Sequence, residues 1–286
     1  SKKLNKYIID TSYFNVFPTA RAEYKIKEDW VIGSSYSLKI NRPLYQDLDP
    51  FLWYIDSLTS ITGNSRLIPE LNHQVEGTLN YKSYGIRLGY THTKNAIRSM
   101  IRQGNTGANS IIFIKENLKQ FSQWNATLDL PFEKKHFSSY NSIAININRL
   151  KDPRPELLLR RVTPQYYLYS ANQINIKNYV TLNLNGEYYS GNNDGLVERK
   201  PLYYFSLGAS KYFFSKKLFC QLLYNDFLKT YRFSGERRIG GITSRYNQHI
   251  NSHFFRILLT YKFGKLKNVN YNNKAVNESE FNRIKQ

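Results

Sequence analysis

The sequence contains no run of about 18 or more apolar residues, so a transmembrane helix is excluded. The mean hydropathy is −0.56, a value typical of water-soluble chains. That value does not exclude a membrane, because transmembrane strands alternate lipid-facing and lumen-facing residues and therefore average out as polar. A protein that crosses a membrane with strands remains compatible with these absences.

Cysteine and acidic residues are also scarce. The single cysteine, Cys220, permits no internal disulfide and leaves the redox compartment open. Lys and Arg number 41 against 21 Asp and Glu, giving a formal charge of +20. Such an excess suits nucleic-acid binding, but the cations are dispersed over turns and loops instead of forming one patch. We expect no nucleic-acid partner, and we expect the cations to face anionic lipid, lipopolysaccharide or an acidic ligand.

Aromatic residues and strict alternation are what the sequence has in abundance, with 24 Tyr and 17 Phe. Residues 30–41 place Trp30, Ile32, Tyr36, Leu38 and Ile40 on one face and mainly small or polar residues on the other. Alternation of this period predicts strands. It recurs at residues 20–26, 75–81, 84–90, 124–130, 143–147, 166–177, 180–188, 203–209, 218–231 and 255–263, which gives about eleven strands.

The connections between these strands alternate in length. Short turns are predicted near residues 28, 83, 131–136, 178 and 216. Longer loops are predicted at residues 42–72, 103–110, 150–156, 189–200 and 234–248. Outer-membrane barrels show this asymmetry, with short periplasmic turns and longer extracellular loops. The predicted fold class is therefore all-β, a transmembrane antiparallel β-barrel.

An odd number of strands raises a difficulty, because single-chain bacterial barrels usually have an even number. Each bare edge of an open sheet would expose roughly ten unpaired backbone groups to lipid, at several kcal/mol apiece. That total far exceeds a folding free energy of about 5–15 kcal/mol. Either a second half of the barrel completes the sheet, or the strand count is off by one and a small barrel closes.

Two spaced clusters in the hairpin at residues 36–81 carry a family resemblance. The segments NRPLYQDLDPF and TGNSRLIPEL precede an alternating strand. This arrangement resembles the outer-membrane β-barrel family of the TonB-dependent receptors of Bacteroidetes. Ser65 departs from the family pattern, which usually has Pro there. The matching residues are Arg42, Pro43, Tyr45, Leu48, Pro50, Phe51, Gly63, Asn64, Leu67, Pro69 and Glu70.

The resemblance implies a receptor barrel of 22 strands with a plugged lumen, of which eleven strands are half. It implies that residues 1–263 are the C-terminal portion of the barrel and residues 264–286 a polar periplasmic tail. The plug and the segment that contacts the TonB system would belong to preceding sequence, and the second half of the barrel to the same or another chain. The implied function is import of a scarce nutrient, such as a ferric chelate, an oligosaccharide or a peptide. The alternative is a non-transporting barrel subunit of a larger envelope or secretion complex.

The sequence shows no catalytic or metal-binding motif, because its five histidines are scattered over different predicted strands and turns. We expect no enzymatic activity, no cofactor and no metal. The aromatic residues of the long loop either pack it over the barrel mouth or contact a ligand, and the arginines near the outer strand ends bind either lipopolysaccharide or an anionic substrate. The substrate-binding candidates are Tyr45, Phe51, Trp53, Tyr54, Arg237 and Arg238.

Overall fold

The computed structural model describes residues 16–104, 107, 110–177 and 179–264. Within them it contains seventeen strands, one short helix, α1 (Tyr45–Leu48), and a 3₁₀ turn at Pro155–Leu157. The strands are β1 Thr19–Lys27, β2 Trp30–Asn41, β3 Leu52–Tyr54, β4 Thr59–Thr62, β5 Glu70–Tyr81, β6 Tyr84–Gln103, β7 Ile111–Lys134, β8 Phe137–Lys151, β9 Gln165–Ile176, β10 Val180–Tyr189, β11 Asn192–Asn193, β12 Val197–Arg199, β13 Leu202–Phe213, β14 Leu218–Asn225, β15 Arg232–Ile239, β16 Ile242–His249 and β17 Phe254–Tyr261.

Eleven of these strands form one antiparallel wall, which confirms the predicted strand count. Their order is β1-β2-β5-β6-β7-β8-β9-β10-β13-β14-β17. Strands that follow one another along the wall are joined at one end by short turns, such as the one between β7 and β8. At the other end the connections are long and carry the remaining strands.

One face of the wall is apolar and exposed. The registers of successive strand pairs align a continuous row of outward side chains across nine strands. Several of them are around 40% exposed or more, as in Ile86 at 43% and Leu168 at 44%. An exposed apolar surface of this extent marks contact with lipid or protein. The row consists of Tyr24, Ile32, Leu79, Ile86, Leu128, Ile143, Leu168, Tyr188 and Tyr203.

The opposite face is polar. Asp129 accepts hydrogen bonds from the hydroxyls of Tyr140 and Ser142 at 2.7 and 2.8 Å. Glu187 accepts one from the hydroxyl of Tyr189 at 3.2 Å. Strands with one apolar and one polar face suit a wall between lipid and an aqueous lumen.

Both edges of the wall are bare within the described residues. Strand β1 pairs only with β2, and β17 only with β14. Every residue of both edge strands is exposed. An unpaired edge offers a row of N–H and C=O groups to another strand.

Strands β6 and β7 extend beyond the rest of the wall at the long-loop end. They are 20 and 24 residues long, and the pairing of β7 with β8 stops at Gln120. Beyond that point β4 pairs with β7 in parallel. A separate four-stranded sheet, β11-β12-β15-β16, lies at the same end. A small hydrophobic core joins these parts and consists of Ala96, Met100, Ile101, Leu118, Leu150, Leu157, Leu196 and Ile239.

Five sequence predictions about local structure were wrong. Residues 234–248 were predicted as loop but form most of the β15–β16 hairpin. The strands of this hairpin carry mainly polar residues, so no apolar and polar alternation marks them in the sequence. The tenth strand of the wall ends at Asn225 instead of Tyr231, since Asp226 turns the chain with a φ of 44°. The turn predicted at residues 131–136 is confined to residues 135–136. The loop predicted at residues 42–72 contains α1, β3 and β4, and the loop predicted at residues 189–200 contains β11 and β12.

A carboxylate network stabilises the extension of β7. Arg102 donates two hydrogen bonds of 2.7 Å to Glu116, and Arg154 donates a third of 2.6 Å. Arg154 also donates to Asp152 at 2.7 Å. Burial by itself raises the pKa of Glu116, but the bonds from Arg102 and Arg154 outweigh it and bring the pKa below its usual value. Glu116 therefore stabilises the fold as a carboxylate.

Replacing Glu116 by glutamine should destabilise this end by about 1–3 kcal/mol at neutral pH, because two arginines lose their charged acceptor. Since the folded pKa is depressed, this stabilisation is complete above the unfolded pKa of about 4.3 and is lost as pH falls through the folded value. Limited proteolysis across a pH series measures it. The matched control is Glu133→Gln, at an exposed position without a salt bridge in the described chain. Equal protease sensitivity of the two variants at pH 7 would contradict the prediction.

Candidate functional site

A cleft of about 710 Å³ lies between the long loop and the extended strands β6 and β7. Its volume falls within the usual range for ligand sites. Trp53 of β3 and Ile61 of β4 contribute from the loop, and Ser99, Phe113 and Lys115 from the strands. Its remaining lining residues are Gln46, Asp47, Asp49, Ile55, Thr62 and Ile114.

The long loop is fixed against β7 by polar contacts. Lys115 Nζ forms an ion pair of 2.8 Å with Asp47. Asn64 Nδ2 donates to the carbonyl oxygen of Lys115 at 3.0 Å. Asn117 bonds both backbone groups of Ile68, accepting from its N–H and donating to its carbonyl, each at 2.9 Å. The cleft is thus preformed by the loop.

Gly63 allows this loop to close on itself. Its N–H donates to the carbonyl oxygen of Asp49 at 2.8 Å, and Asn64 N–H donates to that of Asp47 at 2.6 Å. A Cβ atom at position 63 would lie 2.2 Å from the Asp49 carbonyl oxygen and 2.8 Å from that of Asp47. Only glycine permits so close an approach of two backbones. The first and second motif clusters of the sequence therefore meet at this glycine.

Arg237 of β15 reaches the residues that line the cleft. Its guanidinium lies 5.7 Å above the ring of Phe113, a cation–π contact. Its Nη1 donates to Ser99 Oγ at 3.3 Å. Its Nε is buried and has no hydrogen-bond partner among the described residues. Burial lowers the pKa of Arg237 below its usual value, although an arginine stays charged. The guanidinium is therefore held against the cleft by Phe113 and Ser99.

The small sheet separates its charges by face. Glu198 and Glu236 are register neighbours on one face, where Arg160, Arg238 and Arg245 pair with them. The other face carries Arg199, Arg237 and Tyr246. Arg199 pairs with Asp194 at 2.9 Å, whereas no carboxylate of the described residues pairs with Arg237. Arg237 therefore differs from its neighbour Arg238, which forms an ion pair with Glu236.

The structure brings together only part of the predicted substrate-binding set. Trp53 lines the cleft and Arg237 contacts two of its lining residues. Tyr45, Phe51 and Tyr54 are 94%, 71% and 62% exposed and do not line it.

Three of the lining residues, Ser99, Phe113 and Lys115, were not predicted from the sequence. These residues lie on parts of β6 and β7 outside the predicted strands at residues 84–90 and 124–130, and outside the predicted loops. Among the described residues, no helix is long and apolar enough to cross a membrane. No group of three or more His, Cys, Asp or Glu side chains in the described part of the chain could hold a metal ion.

Comparison with known proteins gives one family and several related folds. The family model described as "Outer membrane protein beta-barrel family" matches residues 1–261 of this chain. No curated protein matches the sequence. A mutant ferric enterobactin receptor, PfeA from Pseudomonas aeruginosa, matches with a TM-score of 0.60 and 18% identity, over 87% of this chain and 41% of the receptor. The siderophore receptor PirA from Pseudomonas aeruginosa matches with a TM-score of 0.58 and 16% identity, over 82% and 41%. The chain spans about two fifths of the length of these receptors, and at such identities the likeness shows the fold alone.

Proposed function

Because this chain belongs to the outer membrane β-barrel family, we propose that it forms part of the wall of a TonB-dependent receptor that imports a scarce nutrient. The proposal rests on one observation above all. An eleven-stranded wall with an apolar outer face and two bare edges matches receptor barrels over about two fifths of their length. In lipid, those edges require strands that complete the barrel.

The proposed completion is a second set of strands that pairs with β1 and with β17. Residues 1–263 are then the C-terminal portion of a larger barrel, which other sequence supplies with a plug and a contact to the TonB system. Lipid and lipopolysaccharide surround the apolar face. The wall performs no chemistry on its cargo, so the receptor is not an enzyme.

The proposed cargo is an anionic ferric chelate. Arg237 supports this choice, because it is a half-buried cation without a carboxylate partner among the described residues, and it contacts two lining residues of the preformed cleft. The aromatic residues Trp53 and Phe113 supply apolar surface within the same cleft. Oligosaccharide and peptide cargoes require no such free cation, although they use the same aromatic surface.

Uptake of radioactive iron tests the proposal. Iron-limited cells that carry the complete protein should accumulate iron from ferric enterobactin or ferric citrate, and a deletion strain should not. A protonophore or loss of TonB should abolish the difference, because import consumes the energy of the inner membrane. Uptake that is equal in deletion and parent strains for both chelates would reject the chelate cargo. Growth of the deletion strain equal to that of the parent on every limiting nutrient would favour a non-transporting subunit.

A further inference from the structure

Four polar side chains form a closed hydrogen-bonded ring on the apolar face of the wall, and we name this ring the polar island. It consists of Ser139 and Asn141 of β8 with Ser170 and Asn172 of β9. Ser139 pairs in register with Asn172, and Asn141 with Ser170. Each serine hydroxyl donates to the opposite asparagine, at 2.8 and 2.7 Å. Each asparagine amide donates to the serine of its own strand, at 2.9 Å. Two Ser-x-Asn segments in antiparallel register produce the ring.

The neighbours of the island on the same face are apolar residues. Its register neighbours on β7 are Leu130 and Phe132, and on β10 Leu184 and Gly186. Along the strands, the next residues on the same face are Ile143 and Leu168 towards the long loops and Phe137 and Ile174 towards the short turns. The island therefore lies on the lipid-facing surface, with Phe137 and Ile174 between it and the short turns.

Hydrocarbon offers no partner for the hydrogen-bonding capacity that the ring leaves over. The bonds described use one of the two N–H groups of Asn141 and one lone pair of each asparagine oxygen. The island thus presents both a donor and acceptors outwards. A surface that offers both is complementary to a copy of itself, and asparagine side chains bond in this way between membrane-embedded segments.

The shape of the surface beside the island is also complementary to itself. Phe132, on the β7 side, is 49% exposed and projects from the face. On the other side lies a groove of about 700 Å³, whose lining includes Asn172, Leu184, Ala209 and Leu222. The register places Phe132, Ser139, Asn172, Leu184 and Leu207 in one row across the wall. The projection, the island and the groove therefore follow one another in that order.

We propose that the polar island is the centre of a contact between two copies of this chain in the membrane. A two-fold axis parallel to the membrane normal and passing by the island sets the two islands against each other. Phe132 of each copy then faces the groove of the other. Such an isologous contact uses the same patch on both copies, as closed dimers do. The inference depends on the outer face of the wall and not on the cargo.

Disulfide cross-linking in native outer membranes tests the contact. In the complete protein, Cys220, the one cysteine of this chain, is first replaced by serine. The substitution Ile143→Cys is then introduced beside the island. The matched control carries Ile86→Cys, which lies on the same face with 43% exposure against 40% for Ile143. Oxidation should give a dimer band for Ile143→Cys and none for Ile86→Cys, because only position 143 lies near the two-fold axis.

A second variant separates the hydrogen bonds from simple proximity. Adding Asn141→Leu and Asn172→Leu to the Ile143→Cys protein should reduce the dimer about fivefold or more, since the bonds between islands disappear. Leucine suits a lipid-facing site, so that unchanged heat-modifiable migration on a gel shows that the variant still folds. Absence of a dimer at position 143, which is the result expected if phospholipid covers the island, would overturn the proposal. Equal dimers at positions 143 and 86 would overturn it too.

Discussion

Replacing Leu128 by arginine should lower the free energy of unfolding by about 2–4 kcal/mol, the cost of a cation at mid-depth on the lipid face of a barrel. Leu128 lies in the continuous apolar row, between Ile86 and Ile143. Against a total of about 5–15 kcal/mol, this loss is a large fraction of the stability but leaves the protein folded in the absence of denaturant. Denaturant titration in lipid vesicles, with tryptophan fluorescence as the signal, measures it.

The control is Asn125→Arg, on the same strand and the opposite face. Asn125 lies between Gly89 and Asn146, so that an arginine there enters the polar side of the wall. Its unfolding free energy should change much less. If Asn125→Arg destabilised the protein as much as Leu128→Arg, the assignment of the two faces would be wrong.

Replacing Arg237 by methionine should weaken binding of the ferric chelate about 10–100-fold. Methionine retains an unbranched apolar stem against Phe113 but removes the charge, and a hydrogen bond to a charged group contributes about 1.5–3 kcal/mol. Equilibrium binding of whichever probe the cells import, ferric enterobactin or ferric citrate, to the complete receptor in detergent measures this effect.

Arg238→Met is the matched control, because Arg238 is the next residue along β15 and already forms an ion pair with Glu236. Its loss should leave chelate affinity unchanged. Equal weakening by both substitutions would indicate general electrostatic attraction by a basic surface instead of a site at Arg237. Unchanged affinity of Arg237→Met would remove this residue from the binding site.

The sequence predicted the wall well, because lipid imposes a strict period on strands that face it. The eleven strands of the wall, the fold class, the family and the outer-membrane location are all confirmed. The motif residues Gly63 and Asn64 were also found in advance, and the structure gives their physical role. Gly63 closes the loop where a side chain would collide with backbone.

The long-loop end was predicted poorly because no such constraint operates there. The strands of the β15–β16 hairpin carry mainly polar residues, among them Arg, Ser, Glu and Gln. A hydropathy pattern therefore does not reveal that they are strands. The cleft depends on β4 pairing in parallel with β7, about 50 residues further along the chain. A contact between such distant segments leaves no periodic signal. Of the residues at the cleft, the sequence therefore indicated Trp53 and Arg237 but missed Ser99, Phe113 and Lys115.

The most direct test of the account is a density map of the complete protein in lipid, at a resolution that shows strand pairing. The predicted result is a closed barrel in which β1 and β17 each form a ladder of hydrogen bonds with a strand from outside residues 16–264. Pairing of β1 with β17 in a closed eleven-stranded barrel would contradict the account, as would an edge left bare in the bilayer.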